Sequence, residues 1–405
     1  MSEDRQAEHS SPAPEPPRGN EPRRSPVVFI FVNFLRGVAA LLVYFFHLQL
    51  LVITGYPLHP VPPGSWTWRL IHHDFNLGRY AVATFFIISG FLIPETLRKP
   101  RMTLGRFVIH RFFRLYPCYW FSLAVVCLLA LCKLEELAGN TPGMKFKWMF
   151  INFTMMQKFV GIPDEIGASW TLQIEMIFYF ACGAMFVAGL LAWRRTALII
   201  SLCGAVVLAV SRSRIAAQLP VAIPLALALM ALGDIIRAYS RGDLLRGTVI
   251  LWTFIVAVAL IPICLFAYDD FGWGAALSNA AAIATFLFAY QLREFFANLR
   301  ILRATSNFLG EISYSFYLLH GPIGLEIARA VYDRTGSATY AMAVSLVPTI
   351  TLSWIVYQLV ESPAIMLGRR LTGEASARQI AVAEAARPDV YPIVDVADAN
   401  EITVD

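Results

Sequence analysis

The chain has 405 residues, of which 57% are hydrophobic and 15% are charged, and its formal net charge is +5. About a quarter of the residues of a soluble domain are charged, so this composition and a mean hydropathy of +0.59 indicate an integral membrane protein. The sequence shows no clustered basic face of the kind that a nucleic-acid-binding domain needs, so nucleic acid is excluded as a partner.

The apolar runs predict an all-α polytopic integral membrane protein with about ten transmembrane helices. The predicted spans are 27–53, 78–97, 115–132, 168–192, 196–211, 219–236, 248–268, 274–291, 306–331 and 340–360. Lys and Arg cluster in the N-terminal tail and after the second, fourth, sixth, eighth and tenth spans. The positive-inside rule then places both termini in the cytoplasm, and we expect a multi-pass protein of the cell inner membrane.

Polar residues dominate both ends of the chain. Residues 1–26 are rich in Pro, Glu, Arg and Ser, and residues 372–405 are polar with mixed charge. Such segments cannot bury enough apolar surface to fold, so we expect disordered cytoplasmic tails around a transmembrane domain at 27–371. The first apolar run is too long for a signal peptide.

The cysteines and one histidine pair are the candidate metal ligands of the sequence. All six cysteines fall in apolar runs without a Cys-x-x-Cys pair, which indicates small buried hydrophobic residues. His72, His73 and Asp74 lie in the predicted first outer loop, but adjacent residues rarely form a metal site without a further partner. We therefore predict a solvated loop there and no metal site.

Two ionisable residues lie within the first span. Arg36 and His47 are eleven residues apart, so they share one helical face and lie about 16 Å apart along the axis. An ionisable group in hydrocarbon is costly unless it faces a partner or a cavity. This face therefore predicts a polar seam within the helix bundle.

Small and basic residues mark the second span and the segment before the third. Ser89 and Gly90 are small enough to let another helix approach closely. Arg106, Arg111 and Arg114 precede the third span, and the last two share a helical face. These arginines are suited either to lipid headgroups or to the phosphates of a donor such as coenzyme A.

The fourth, ninth and tenth spans add further polar groups. Glu175 lies about two turns into the fourth span, where a carboxylate must be protonated, hydrated or paired. Its structural alternatives are an ion pair with Arg36 and a hydrogen-bond anchor. Ser313, Tyr317 and His320 share one face of the ninth span, and we expect Ser313 and Tyr317 to form structural hydrogen bonds between helices. Glu361 closes the tenth span, where it could pair with Arg111 or Arg114.

Six segments carry a family resemblance. They read Arg-x10-His in the first span, Phe-Phe-x-x-Ser-Gly-Phe-Leu-Ile in the second, Arg-x-x-Arg-x-x-Pro before the third, Trp-Thr-Leu-x-x-Glu in the fourth, Ser-Tyr-x-x-Tyr-Leu-x-His in the ninth and Tyr-x-x-x-Glu-x-Pro after the tenth. In this order they resemble the membrane acyltransferase-3 family. The chain has Ala81 where that family often has glycine. The appended esterase-like domain of some relatives is not expected here.

The resemblance implies an acyltransferase, most simply an O-acetyltransferase. It would move an acyl group from acyl-CoA to a hydroxyl of a cell-envelope or exported polysaccharide, or of a lipid-linked sugar, with no tightly bound cofactor. His47 would be the general base, Glu175 would orient it or hold its charge, and Arg36 would neutralise the donor or the oxyanion. The residues assigned to the phosphates of the donor are Arg106, Arg111 and Arg114, and those assigned to supporting roles are Ser89, Trp170, Ser313, Tyr317, His320 and Glu361.

A transporter is the alternative, because intramembrane charges also line substrate and proton pathways. The basic segment before the third span and the lack of a clear inverted repeat favour the enzyme. Counting residues from the predicted membrane surfaces places His47 and Glu175 at a similar depth in the outer half. The sequence therefore predicts that His47, Arg36 and Glu175 converge on one cavity between the first and fourth spans.

Overall fold

The computed structural model describes residues 27–54, 66–132, 144–215 and 218–373, and these residues are helical without a β-strand. The predicted tails at 1–26 and 372–405 lie outside the described residues, apart from Thr372 and Gly373. The α-helices are α1 (Val27–Thr54), α2 (Trp66–Trp68), α3 (Leu77–Leu97), α4 (Leu104–Leu131), α5 (Met144–Asn152), α6 (Trp170–Val187), α7 (Arg194–Ile215), α8 (Ala222–Ser240), α9 (Arg246–Ala267), α10 (Gly272–Gln291), α11 (Arg293–Asn298), α12 (Arg300–Leu319), α13 (Glu326–Thr335), α14 (Ala338–Val356) and α15 (Ser362–Leu371).

Nine helical segments of the described residues are long and apolar enough to cross a membrane. They correspond to nine of the ten predicted spans, which confirms the polytopic all-α class. The remaining predicted span, 306–331, is helical but is not among the nine, because Ser, Tyr, His and charged residues lower its mean hydropathy. The orientation of the termini stays a prediction.

The centre of the bundle is built from α1, α3, α8 and α12, with α3 packed along α8 and α1 along α12. Small residues permit both crossings. A Cβ added at Gly90 would lie 1.8 Å from the carbonyl oxygen of Met230, and one at Gly310 would lie 2.4 Å from the Cβ of Asn33. The close approach predicted at Gly90 is therefore confirmed, and any larger residue there would push α3 away from α8.

Three π-helical segments occur at Arg69–His73, His320–Leu325 and Tyr357–Glu361. Such segments are frequent at functional sites, and two of the three carry predicted site residues, His320 and Glu361. The loop predicted around His72 is helical instead, because the amide of Asp74 closes a π turn on the carbonyl of Arg69 at 2.8 Å.

The cysteines differ in burial. Cys118, Cys182 and Cys264 are buried as predicted, whereas Cys132 and Cys203 are exposed at the surface of the bundle. The prediction of burial was wrong for these two, because an apolar helix in a membrane also presents apolar residues to lipid.

Candidate functional site

Three cavities formed by the described residues follow one another through the bundle. The arginine cavity, of about 330 Å³, is lined by Asn33, Arg36, Lys99, Arg111, Arg114 and Arg369 among others. The middle cavity, of about 130 Å³, is lined by residues that include Arg36, Ser89, Glu175, Tyr179, Ser313 and Tyr317. The histidine cavity, of about 330 Å³, is lined by residues that include His47, Asn76, Arg79, Trp170, Tyr268 and Asn279.

Shared side chains connect the three cavities. Arg36, Arg111 and Arg114 line both the arginine cavity and the middle cavity. Val82, Phe86 and Tyr317 line both the middle cavity and the histidine cavity. The predicted polar seam is therefore present as a row of cavities, with arginines at one junction and a mainly apolar partition at the other.

Positive charge dominates the arginine cavity. Its lining has four arginines and one lysine but one carboxylate, that of Glu311. Arg111 donates to the Thr96 hydroxyl at 3.2 Å, and its guanidinium lies 5.3 Å from the ring centre of Tyr179. Its Nε atom is buried without a hydrogen-bond partner among the described residues. This lining favours an anion with more than one negative charge.

Arg114 and Glu361 form the ion pair that the sequence predicted for this end of the bundle. The second oxygen of Glu361 accepts a 2.5 Å hydrogen bond from the Ser315 hydroxyl, and Glu361 is fully buried. Arg36 differs, since no carboxylate of the described residues lies within 4 Å of its guanidinium. The charges that act on it across the cavity are Arg114, Glu361 and Glu175. Arg36 and Arg111 are therefore better placed than Arg114 to neutralise a ligand.

Glu175 faces the middle cavity. It accepts hydrogen bonds from the Tyr179 hydroxyl at 2.6 Å and from the Ser89 hydroxyl at 3.4 Å. The ion pair with Arg36 that was one expectation for it does not form among the described residues. Ser313 also lines this cavity, but its hydroxyl donates to the Gly310 carbonyl at 2.7 Å. The described partners of Glu175 are thus hydroxyl groups.

A pair of histidines lies at the histidine cavity. The Nδ1 atom of His47 is 2.8 Å from the Nε2 atom of His320, and the two rings stack with centroids 5.0 Å apart. His320 is buried, whereas His47 lines the cavity beside Trp170. Because Nδ1 of His47 is engaged, Nε2 is the nitrogen left to act on a ligand. His320 therefore takes the orienting position that the sequence assigned to Glu175.

Tyr317 stands in the partition between the middle and histidine cavities. Its hydroxyl lies 2.7 Å from the Thr171 hydroxyl and 3.1 Å from the carbonyl oxygen of Ala168. This fixes the ring at the N-terminal end of α6, as expected for the structural hydrogen bond predicted for it.

The predicted convergence of three residues on one cavity is wrong for His47. Arg36 and Glu175 share the middle cavity, whereas His47 lines the histidine cavity with Trp170. Depth estimated by counting residues along a span is correct only if all spans begin and end at the same two membrane surfaces. The structure instead brings His47 level with Trp170, the first residue of α6, and leaves Glu175 deeper in the bundle.

Arg106 does not join the other two arginines of its segment. Its guanidinium donates to the Arg101 carbonyl at 2.8 Å, at the start of α4. Arg106 lies five residues before Arg111, which turns it away from the shared face of Arg111 and Arg114. The geometry therefore gives no support to its assignment as a phosphate ligand.

Sequence reasoning missed two residues of the cavities. Tyr179 follows Glu175 by one helical turn, and that spacing could have indicated the hydrogen bond between them. Arg79 starts the second span, where an arginine is commonly read as an interfacial anchor. Only the tertiary structure shows that it lines the same cavity as His47.

The fold and these cavities define a multi-pass helical membrane protein with a row of polar cavities through its centre. The acyltransferase-3 family model, described as an acyltransferase domain, matches residues 29–358. The chain belongs to this family, which confirms the resemblance read from its motifs.

Three curated relatives are similar over shorter segments. Nodulation protein 10 of Rhizobium leguminosarum bv. viciae is 28% identical over 180 residues, covering 40% of this chain and 44% of that protein. The exopolysaccharide production protein ExoZ of Rhizobium meliloti is 28% identical over 116 residues, covering 28% of this chain and 37% of that protein. The peptidoglycan O-acetyltransferase OatA of Listeria monocytogenes is 30% identical over 130 residues, covering 29% of this chain and 21% of that protein. Each match covers less than half of the relative, and no solved structure matches the chain.

Proposed function

We propose that this protein is a membrane acyltransferase that moves an acyl group, most simply acetyl, from acyl-CoA to a hydroxyl of a cell-envelope or exported polysaccharide, or of a lipid-linked sugar. The observation that carries the proposal is the row of cavities, with Arg36 and Arg111 lacking a carboxylate partner among the described residues at one end and a histidine pair at the other. Family membership and a relative named as an O-acetyltransferase support the same reaction class.

The donor would lie along this row. Its phosphates would bind in the arginine cavity, where Arg36 and Arg111 have no carboxylate partner among the described residues. Its pantetheine arm would cross the narrow middle cavity, and its thioester would reach the histidine cavity. An elongated molecule with several charges at one end and a reactive group at the other matches the order of the arginine, middle and histidine cavities.

His47 would be the general base. Its Nε2 would take the proton of the acceptor hydroxyl while the oxygen attacks the thioester carbonyl carbon. The tetrahedral intermediate would then break its carbon–sulfur bond, and the departing thiolate would take up the proton that His47 accepted, which yields the ester and free coenzyme A and restores neutral His47. His320 would hold the ring of His47 through their 2.8 Å hydrogen bond.

The separation of the cavities supports a role for Arg36 at the donor rather than at the oxyanion. Arg36 and His47 lie about 16 Å apart along α1, so one group cannot contact an intermediate held by the other. Glu175 lies in the middle cavity with Arg36. It would act on the arm of the donor or on the position of Tyr179, not on His47.

Purified protein in detergent, given radiolabelled acetyl-CoA and a panel of hydroxyl acceptors, tests the proposal. We expect acetyl-CoA to bind and the label to appear on a sugar acceptor or, without one, as slowly released acetate. Vesicles that accumulate a solute with no turnover of acetyl-CoA would favour the transporter. Absence of both binding and turnover would contradict the acyltransferase.

A further inference from the structure

Arg79 is the one permanently charged side chain among the described residues that line the histidine cavity. Its guanidinium lies over the ring of Tyr268, 3.7 Å from the ring centre. No carboxylate of the described residues lies within ion-pair distance of it. The cavity thus holds a cation whose counter-charge does not come from the described protein groups.

Arg79 is half-buried, so its cation is partly withdrawn from water without a carboxylate partner among the described residues. Removing a cation from bulk water is unfavourable, and stacking on a tyrosine ring recovers only part of the loss. The contact with Tyr268 holds the guanidinium over one face of the ring, and none of the described residues accepts a hydrogen bond from its N–H groups. A planar fork held in this way suits bidentate contact with a carboxylate or a phosphate.

The other polar groups of this cavity suit a sugar. Asn76 and Asn279 supply carboxamides, although Asn76 Oδ1 already accepts from the Arg79 amide and Asn279 Nδ2 donates to the Ala275 carbonyl. Trp170 and Tyr268 supply aromatic surfaces, and Ala222 and Leu225 belong to the apolar wall. Carboxamides exchange hydrogen bonds with hydroxyl groups, and aromatic faces pack against the C–H faces of sugar rings. His47 lies on the same cavity, so a hydroxyl of a sugar bound here is within reach of the general base.

The two ends of the row differ in the amount of charge they can neutralise. The arginine cavity has several cations, which suits the phosphates of coenzyme A, whereas the histidine cavity has one. We propose that the acceptor is an anionic sugar, one whose carboxylate or phosphate is bound by Arg79 while its hydroxyl faces His47. This inference rests on the proposed function for the role of the hydroxyl, but the binding of the anionic group can be measured without acyl transfer.

Binding of three matched oligosaccharides by the detergent-purified protein tests the inference. They are a neutral glucose oligosaccharide, its glucuronic-acid counterpart and its sugar-phosphate counterpart, titrated calorimetrically without acyl-CoA. We expect the wild type to bind at least one anionic form roughly 10- to 100-fold more tightly than the neutral form, as a charge-assisted contact allows. Whichever anionic form binds more tightly identifies the substituent as a carboxylate or a phosphate.

Three variants make the result specific to Arg79. Arg79→Gln should lose the preference, whereas Arg79→Lys should keep its direction with a smaller ratio. Arg293→Gln is the matched control, because Arg293 also lies over a tyrosine, 4.7 Å from the ring centre of Tyr290, but does not line the histidine cavity. We expect this control to keep the wild-type preference.

Equal affinity of the wild type for neutral and anionic sugars would overturn the inference. So would an unchanged preference in Arg79→Gln, or an equal loss of affinity for all three sugars, which would mark Arg79 as structural. If the wild type binds anionic sugar through Arg79 but transfers no acyl group, the proposed function fails and the binding site stands.

Discussion

The charges near α8, which are buried or half-buried, and the charges that line the cavities are organised differently. Around α8, Asp234 accepts hydrogen bonds from Arg98 at 2.5 and 2.8 Å and lies 3.6 Å from Arg194. Glu95 similarly pairs with Arg241 and lies 3.6 Å from Arg237. We call these six residues the α8 cluster. Each arginine in it faces a carboxylate of the protein.

The cavities have fewer internal counter-charges. Arg114 is paired with Glu361, but Arg36 and Arg79 have no carboxylate partner among the described residues. Burying a charge is favourable only when a partner neutralises it. The α8 cluster supplies that partner within the protein and should serve stability. In the cavities a ligand would supply the counter-charge, and the charges there should serve binding and catalysis.

Asp234→Asn should produce the largest effect on stability. It leaves Arg98 and Arg194 without their shared carboxylate, and breaking a buried ion pair costs about 3–5 kcal/mol in the free energy of unfolding. The measurement is the thermal unfolding midpoint in detergent. Asp243→Asn is the matched control, since Asp243 also meets two arginines but its side chain is 45% exposed, and exposed pairs contribute about 1 kcal/mol or less. Equal loss from both variants would break the distinction between the two regions.

Arg36→Gln should act on the donor instead. We expect the KM for acetyl-CoA to rise roughly 10- to 100-fold with a smaller change in kcat and an almost unchanged unfolding midpoint, because phosphate contacts contribute uniform binding. Acetyl-pantetheine, which lacks the nucleotide and its phosphates, sharpens the test. The variant should use it about as well as the wild type does. An equal loss with both donors would contradict phosphate binding.

Substitutions of Arg111 and Arg114 should differ in their effects, although the sequence assigned both residues the same role. Arg111→Ala should raise the KM for acetyl-CoA by about 10-fold while preserving stability. Arg114→Ala should also lower the unfolding midpoint, because it leaves the buried Glu361 without its arginine. Kinetics and thermal unfolding of both proteins check this difference, and indistinguishable behaviour would refute it.

Glu175→Gln should have the smallest effect. The amide oxygen can still accept the hydrogen bond of Tyr179, so we expect kcat to fall only a few-fold. The pH dependence of turnover should keep its position, because Glu175 does not contact His47. A displaced pH profile would restore the earlier expectation that Glu175 supports the charge of His47.

Much of the fold follows from local sequence. Runs of apolar residues of bilayer length predict nine of the helices that could cross the membrane, and Gly90 predicts a close crossing. The stretch 306–331 was also expected as a helix, and it is one. Ser313, Tyr314 and Tyr317 of this helix line the middle cavity, and its polar residues keep it out of the nine most apolar segments.

Several residues that line the cavities could be predicted from the sequence, but their grouping could not. Helical phase alone placed Arg36 and His47 on one face, and charge complementarity predicted the pair between Arg114 and Glu361. The depth of Glu175 was misjudged, since the offset between helices depends on tertiary packing. The pairing of His47 with His320 depends on the crossing of α1 and the π segment, which a single sequence does not encode locally.

The activity of His47→Ala tests the central claim most directly. Wild type, His47→Ala and His73→Ala should be purified at equal amounts and given labelled acetyl-CoA with a sugar acceptor. The last is the control, because His73 pairs with Asp74 at the surface and does not line the histidine cavity. We predict that His47→Ala keeps acetyl-CoA binding and lowers kcat by about 10²–10⁴, the usual contribution of a general base. Full activity of His47→Ala would remove His47 from the reaction and contradict the assignment of the histidine cavity as the place of acyl transfer.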